Sequence, residues 1–310
     1  MDIPVKAWFR RRNPNQISPV ANVFINIFFF LFAATCVVPL LIVLGSSFST
    51  EGAIIQHGFV IIPREFSLEA YRILFREQSV VFNAYMVTIF TTVVGTVLCL
   101  VNVCLYAYPL SRPTFKFRKF FMMFAFFTML FSGGLVASYI VNTNVLNLGN
   151  TIWIMTLPFG FSAFWVIVMR TFYRTQIPEA LIESAKIDGA GEWLTLIRIV
   201  LPLSLPGIAT VALFTSIGIW NDFFLSLLYV RDQNLYNLQR LINEVLNAIT
   251  MLREMVFRLG SAGITVDLAN LPSQSFRMAM CIVTIGPIIL AYPFFQRFFI
   301  KGLTIGAIKG

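Results

Sequence analysis

Long apolar runs separated by short polar segments dominate the chain. After Arg12 no charged residue appears until Glu51, and between Phe120 and Met169 there are 50 residues without one. A bilayer core of about 30 Å takes ~20 helical residues, so the first run spans once and the second must cross twice. The polar stretch Asn142–Asn150 supplies the turn between those two crossings. The pattern predicts an all-α integral membrane protein with six spans, at about 22–46, 83–110, 120–141, 151–170, 207–230 and 278–295. A polar arm (1–20) precedes this membrane domain of residues 21–299, and a basic tail (300–310) follows it. Residues 47–82 and 231–277 form the longer polar loops. Within the third span Ser132-Gly133-Gly134 marks a kink or packing site. In the loop 231–277, Leu238, Leu241, Ile242, Val245, Leu246, Ile249, Leu252 and Val256 recur at helical spacing, which predicts an amphipathic helix.

The segment 171–206 breaks the apolar pattern most sharply. Glu179, Glu183, Lys186 and Ile187 follow three- and four-residue spacing after Pro178, a good helix start. Gly189 and Gly191 interrupt that helix, a second short one follows from about Trp193 to Val200, and Pro202 and Pro206 close the segment. This predicts a helix–turn–helix elbow too polar to enter lipid.

Composition agrees. The 310 residues are 58% hydrophobic and 12% charged, against about 25% charged in soluble domains. The net charge of +9 is divided among short loops, which argues for topology rather than nucleic-acid binding. Six spans place both termini on the side of residues 111–119 and 170–206. That side holds 15 Lys and Arg and 5 acids, the other 8 and 8, so the termini and the elbow are expected in the cytoplasm. The first apolar run is too long for a signal peptide core and should be retained. Cys36, Cys99, Cys104 and Cys281 all lie in predicted spans, so neither a disulfide frame nor a metal cluster is expected.

No catalytic constellation is visible. The chain contains no G-x-x-x-x-G-K-[ST] segment, and its single His57 has no metal-ligand spacing to the cysteines. Asp222, in Trp220-Asn221-Asp222, is the one acid within a predicted span. An ionised Asp at mid-membrane costs roughly 2.5–3.5 kcal/mol, and Asp222, nearer the outer end of span five, costs less. Trp220, Asn221 and Asp222 are therefore candidates for lining a translocation path. The alternative is an inter-helix hydrogen bond or an interfacial Asp in contact with water.

Glu183-Ser184-Ala185, three residues, Gly189, nine residues, Ile199, one residue, then Leu201-Pro202 resembles the EAA loop of ABC-importer permeases. Only Ser184 departs from that pattern, where the family has Ala, and Asp188-Gly189-Ala190 also matches it. Further phrases are similar to the carbohydrate branch, and more narrowly to oligo- and polysaccharide-uptake permeases of Gram-positive bacteria. They are Ile62-Pro63, Ser67-Leu68-Glu69-Ala70-Tyr71, Ala107-Tyr108-Pro109-Leu110-Ser111-Arg112, and Ala291-Tyr292-Pro293-Phe294-Phe295-Gln296 before Lys301-Gly302.

The resemblance implies a type I importer permease fold in a bacterial plasma membrane, importing an oligosaccharide. It implies four kinds of partner: a second, homologous permease, two cytoplasmic ATPase subunits that bind ATP-Mg, an extracellular substrate-binding lipoprotein, and membrane lipid. No cofactor is expected in this chain. The elbow would dock into a cleft of the ATPase, with Glu183 facing a basic group, Gly189 permitting the turn and Pro202 fixing the exit into span five. Ser184, Ala185, Asp188, Ile199 and Leu201 complete the motif. The outer loop 231–277 would meet the binding protein. Other readings are a non-sugar cargo (amino acid, polyamine or phosphorus compound), an ion-coupled secondary transporter, or a membrane enzyme. A secondary transporter would need more intramembrane ionisable groups than Asp222.

Overall fold

A computed structural model describes residues 18–76, 78–261 and 274–307. Most of the N-terminal arm, part of the outer loop and the end of the tail lie outside the described residues. Every named element among the described residues is helical, and one isolated β-bridge pairs Ser49 with Phe66.

Helix α1 (Pro19–Ser47) starts at Ser18, whose Oγ accepts the Ala21 N–H at 3.2 Å. Its most apolar window has a mean hydropathy of 2.9, and no residue in that window is buried by the rest of the chain. Such a surface requires lipid or another subunit against it. Two short helices follow, α2 (Glu51–His57) and α3 (Glu69–Leu74). The central rod is α4 (Gln78–Ser111), against which much of the fold is built.

The stretches predicted as spans three to five are not straight rods. α5 (Arg118–Leu130) meets α6 (Gly134–Ile140), which runs on into a π turn at Val141–Val145, at 107°. Gly134 stands at the bend with φ +80°, a conformation costly for any residue with a Cβ. Two 3₁₀ turns, Ile152–Met155 and Leu157–Gly160, lead at 41° into α7 (Ala163–Gln176). Then come α8 (Glu179–Ile187), α9 (Glu192–Thr195), a π turn at Leu196–Val200 and α10 (Leu201–Leu203). That limb meets α11 (Leu205–Trp220) at 76°. α12 (Phe224–Tyr229) follows a break after Trp220. The amphipathic α13 (Leu238–Ser261) and α14 (Gln274–Ala307), which contains Pro287 and Pro293, complete the chain. Among the described residues two helices are long and apolar enough to cross a membrane, and counting each of the three bent pairs as one span raises the number to five. The apolar part of α14, Gln274–Ile289, is shorter.

The main core joins the central rods to the elbow. Cys99, Val103, Ala107 and Leu110 of α4 pack with Val166, Met169 and Tyr173 of α7, and the same cluster takes in Ile182, Leu196 and Val200 of the elbow. A second cluster packs Ala70 and Leu74 of α3 on Phe276, Ala279 and Met280 of α14, with Leu241, Ile242, Val245 and Ile249 of α13 against it. The elbow is thus seated on the rods by apolar burial, so a displacement of one is felt by the other.

Candidate functional site

The elbow forms the helix–turn–helix that its spacing predicts. Pro178 caps α8 with extended backbone rather than occupying its first turn. Ile182 and Ala185 face the core, while Glu183 and Lys186 are exposed. Ser184 Oγ donates to Leu181 O at 3.0 Å, the local back-bond that suits a hydroxyl in place of Ala. α8 then ends in a Schellman motif. Ala190 N–H reaches Ala185 O at 2.8 Å and Gly189 N–H reaches Lys186 O at 3.0 Å, with Gly189 at φ +81°. A Cβ on Gly189 would meet nothing within 4 Å, so the requirement here is for backbone conformation, not space.

Asp188 is the exposed C-cap residue of α8. Ile199 and Leu201 are half-buried and Pro202 is exposed in the first turn of α10. Pro202 offers no N–H to the ladder, and the chain immediately before it adopts the wider π turn. Ser204, fully buried, bonds back to Val200 O at 2.7 Å at the 76° bend.

A bracket invisible in the motif ties this elbow to α4. Tyr108 Oη donates to Glu192 Oε2 at 2.6 Å, and Lys186 Nζ lies 2.8 Å from Glu192 Oε1. Glu192 therefore joins both limbs of the turn to the central rod. Lys186 first, then Tyr108, hold its carboxyl below the ordinary carboxylate range, against the opposing effect of partial burial. Lys186 and Glu192 flank the Gly-x-Gly turn in sequence, but Tyr108 is 84 residues from Glu192 and carries no local signal. Arg170 Nε donates to Leu110 O at 3.1 Å, satisfying a carbonyl at the end of α4. Outward, Ile187, Trp193, Leu194 and Ile197 are exposed beside the acids Glu179, Glu183 and Asp188. An apolar surface rimmed with acids fits a partner that offers both an apolar cleft and basic groups.

The second candidate group sits at a helix break. α11 ends at Trp220, whose buried indole N–H donates to Thr284 O of α14 at 3.2 Å. Asn221 is exposed and accepts from Gln239 at 3.4 Å. Asp222 Oδ2 accepts the Leu225 N–H at 3.2 Å, capping α12. The Asp222 carbonyl accepts from Asn237, and Asn237 Oδ1 accepts the Arg240 N–H at 3.0 Å. Arg240, almost wholly buried, reaches the carbonyls of Ser226 and, at 2.9 Å, Val230, and its guanidinium stacks 4.0 Å from the centre of the Tyr236 ring. Asn150, at φ +55°, accepts the N–H groups of Arg231 and Asp232 at 2.8 and 2.9 Å. These contacts fasten the 231–261 segment onto the break. Arg240 and Asn237 escaped the sequence reading because a lone Arg on an amphipathic helix looks like solvated surface.

The two groups are separate parts of one molecule. They define a helical membrane component with a polar elbow rooted in its core and a polar clasp at a broken helix. Comparison with known proteins agrees with that class. Residues 104–305 match the family described as "Binding-protein-dependent transport system inner membrane component", and the chain belongs to that family. It is 36% identical over 283 residues to the polygalacturonan/rhamnogalacturonan transport system permease protein YtcP of Bacillus subtilis (strain 168), which covers 91% of this chain and 96% of that protein. It is 39% identical over 277 residues to Protein LplC of the same organism, covering 89% and 90%. Among solved structures, a bacterial ABC transporter involved in the import of the acidic polysaccharide alginate superposes with a TM-score of 0.74 at 26% identity, covering 92% of this chain and 99% of that one. The protein is thus an integral membrane permease subunit of the type I importer fold, a transport component rather than an enzyme. As such it works with an ATPase and a substrate-binding protein.

Proposed function

We propose that the chain is one half of the pore of an ATP-driven importer for an oligosaccharide in a bacterial plasma membrane. The single observation that carries the cargo class is the near full-length similarity to a permease of a polygalacturonan/rhamnogalacturonan transport system. Arabinooligosaccharide and galactooligosaccharide permeases are further relatives. The chain crosses six times with both termini, residues 111–119 and the elbow 171–206 in the cytoplasm, and the segment 231–277 outside. A second, homologous permease completes the pore, two ATPase subunits bind ATP-Mg, and an extracellular lipoprotein delivers the sugar.

Closure of the ATPase pair pushes on the elbow at Glu183, Ser184, Ala185, Asp188 and Gly189. Ile199, Leu201 and Pro202 lead that push into α11. The shared core of α4, α7 and the elbow carries the movement to the rods as a rigid body. Trp220, Asn221 and Asp222 lie at the outer end of the path, where the clasp to α13 responds to the docked binding protein.

Uptake of labelled oligosaccharides, uronate-containing ones included, into proteoliposomes of the assembled transporter tests this reading. ATP-dependent uptake of an oligosaccharide, with amino acids, polyamines and phosphorus compounds excluded, is expected. Uptake of one of those solutes in its place, or uptake driven by an ion gradient without ATP, overturns it.

A further inference from the structure

A cavity of about 380 Å³ opens between the end of α4 and the elbow. Leu105, Tyr108, Arg112, Phe115, Glu192 and Trp193 are among the residues that line it. Its walls are mostly apolar, with one exception that matters. Arg112 is only 9% exposed, its guanidinium lies 4.9 Å from the centre of the Tyr108 ring, and its Nε and Nη2 have no hydrogen-bond partner. A buried guanidinium with unmet donors is costly unless an anion completes it. Glu192 shares the cavity and its charge acts on Arg112, but it gives these two donors no hydrogen bond, its carboxylate bonding Tyr108 and Lys186 instead.

One wall residue, Leu105, also belongs to an exposed apolar stripe that selects the ligand. On α4, Val93, Val97, Val101 and Leu105 recur every four residues and are all exposed, a single apolar stripe that leads from within the rod down to the cavity wall. That stripe rises about 18 Å at ~1.5 Å per residue, the scale of an acyl chain and too long for a free anion. Exposed Lys116 and Lys119 stand just beyond the cavity mouth in sequence. Basic groups at a cytoplasmic membrane boundary attract anionic headgroups.

We propose that this cavity binds one anionic phospholipid of the inner leaflet. Its phosphate meets Arg112 and its acyl chain lies along Leu105, Val101 and Val97. The lipid wedges between α4 and the elbow, so its presence sets the rest position of the lever. The site rests on the proposed orientation only for the leaflet that supplies the lipid.

Trp193 in the cavity wall provides the test, and the readout does not depend on transport. The full chain is placed in nanodiscs containing brominated phosphatidylglycerol or brominated phosphatidylcholine, and the fluorescence lost on Trp193→Phe isolates the Trp193 signal. Quenching of that signal is expected at about fivefold lower mole fraction of the glycerol lipid, the preference one basic group near a membrane surface gives. Arg112→Gln should erase the preference. Leu105→Phe, which fills the cavity and keeps the charge, should weaken quenching by both lipids and serves where Arg112→Gln fails to fold. Equal quenching by both headgroups overturns the proposal. So does displacement of the lipid by inorganic phosphate, which would make this a free-phosphate site. Quenching that disappears when the co-purified ATPase is present assigns the cavity to the partner protein and also overturns it.

Discussion

Glu192→Gln tests the bracket that roots the elbow in α4. The substitution keeps the side chain's length and one acceptor oxygen but removes its charge. The ion pair with Lys186 contributes little, because the two side chains are 41% and 52% exposed, and such pairs contribute about 0–1 kcal/mol. The 2.6 Å bond from Tyr108 is partly buried and charge-assisted, a class that contributes about 1.5–3 kcal/mol where a neutral bond contributes about 1. The net loss is about 1–2 kcal/mol, confined to the turn. Opening of that turn should become roughly 5- to 30-fold more frequent.

Hydrogen exchange of the peptide covering residues 186–196, in the full chain in nanodiscs, reads this directly. The carboxyl of Glu192 titrates below its ordinary value of 4.5. The stabilisation is therefore complete above that value and is lost as pH falls through the lower, folded-state pKa. Exchange of wild type relative to Glu192→Gln should differ most near neutrality and converge only in acid below the ordinary value. Unchanged exchange in the variant refutes the bracket. Equal acceleration throughout α4 and α7 also refutes it, since that would mark global destabilisation.

Three further outcomes follow from the geometry. The Glu51 carboxylate accepts the N–H groups of Gln274 and Ser275 at 2.9 and 3.1 Å, capping α14 from α2, so Glu51→Ala should cost about 1–3 kcal/mol, seen as a melting temperature lower by several degrees. Asp222→Asn keeps an acceptor for the Leu225 N–H and should transport close to wild type, whereas Asp222→Ala should lose about 1 kcal/mol of local stability. A large fall in uptake for Asp222→Asn would instead show that its charge, and not only its capping bond, serves the path. Arg240→Met leaves the Ser226 and Val230 carbonyls without their buried donor, so proteolysis within 231–261 should accelerate at least tenfold, and an unchanged rate would show that the clasp does not hold that segment.

The parts of this molecule that depend on local chemistry were legible in the sequence. The Gly189 turn is local, because a Schellman motif needs a left-handed residue at one position, and Gly supplies it. The α13 stripe is local too, although its core-facing part, Leu238, Leu241, Ile242, Val245 and Ile249, gives way to exposed Met251, Leu252 and Met255. The bends were less legible. A charge-free run predicts a crossing but not its straightness, and Ser132-Gly133-Gly134 indicated a kink without its 107° size. Asp222 read as a lone acid within a rod because hydropathy cannot see that α11 stops two residues earlier. The Tyr108–Glu192 and Asn237–Asp222 contacts join residues far apart in sequence, and periodicity carries no information about them.

The ratio of solute imported to ATP hydrolysed by Gly189→Trp in the reconstituted transporter tests the central claim, that the elbow conveys a partner's motion to the pore. Gly189 is exposed at φ +81° with nothing around its Cβ position, so an indole there clashes with nothing in this chain but strains the turn and projects into the docking partner. The account predicts that the assembled variant still hydrolyses ATP while the ratio falls at least tenfold. An assembled variant that imports at the wild-type ratio would contradict it.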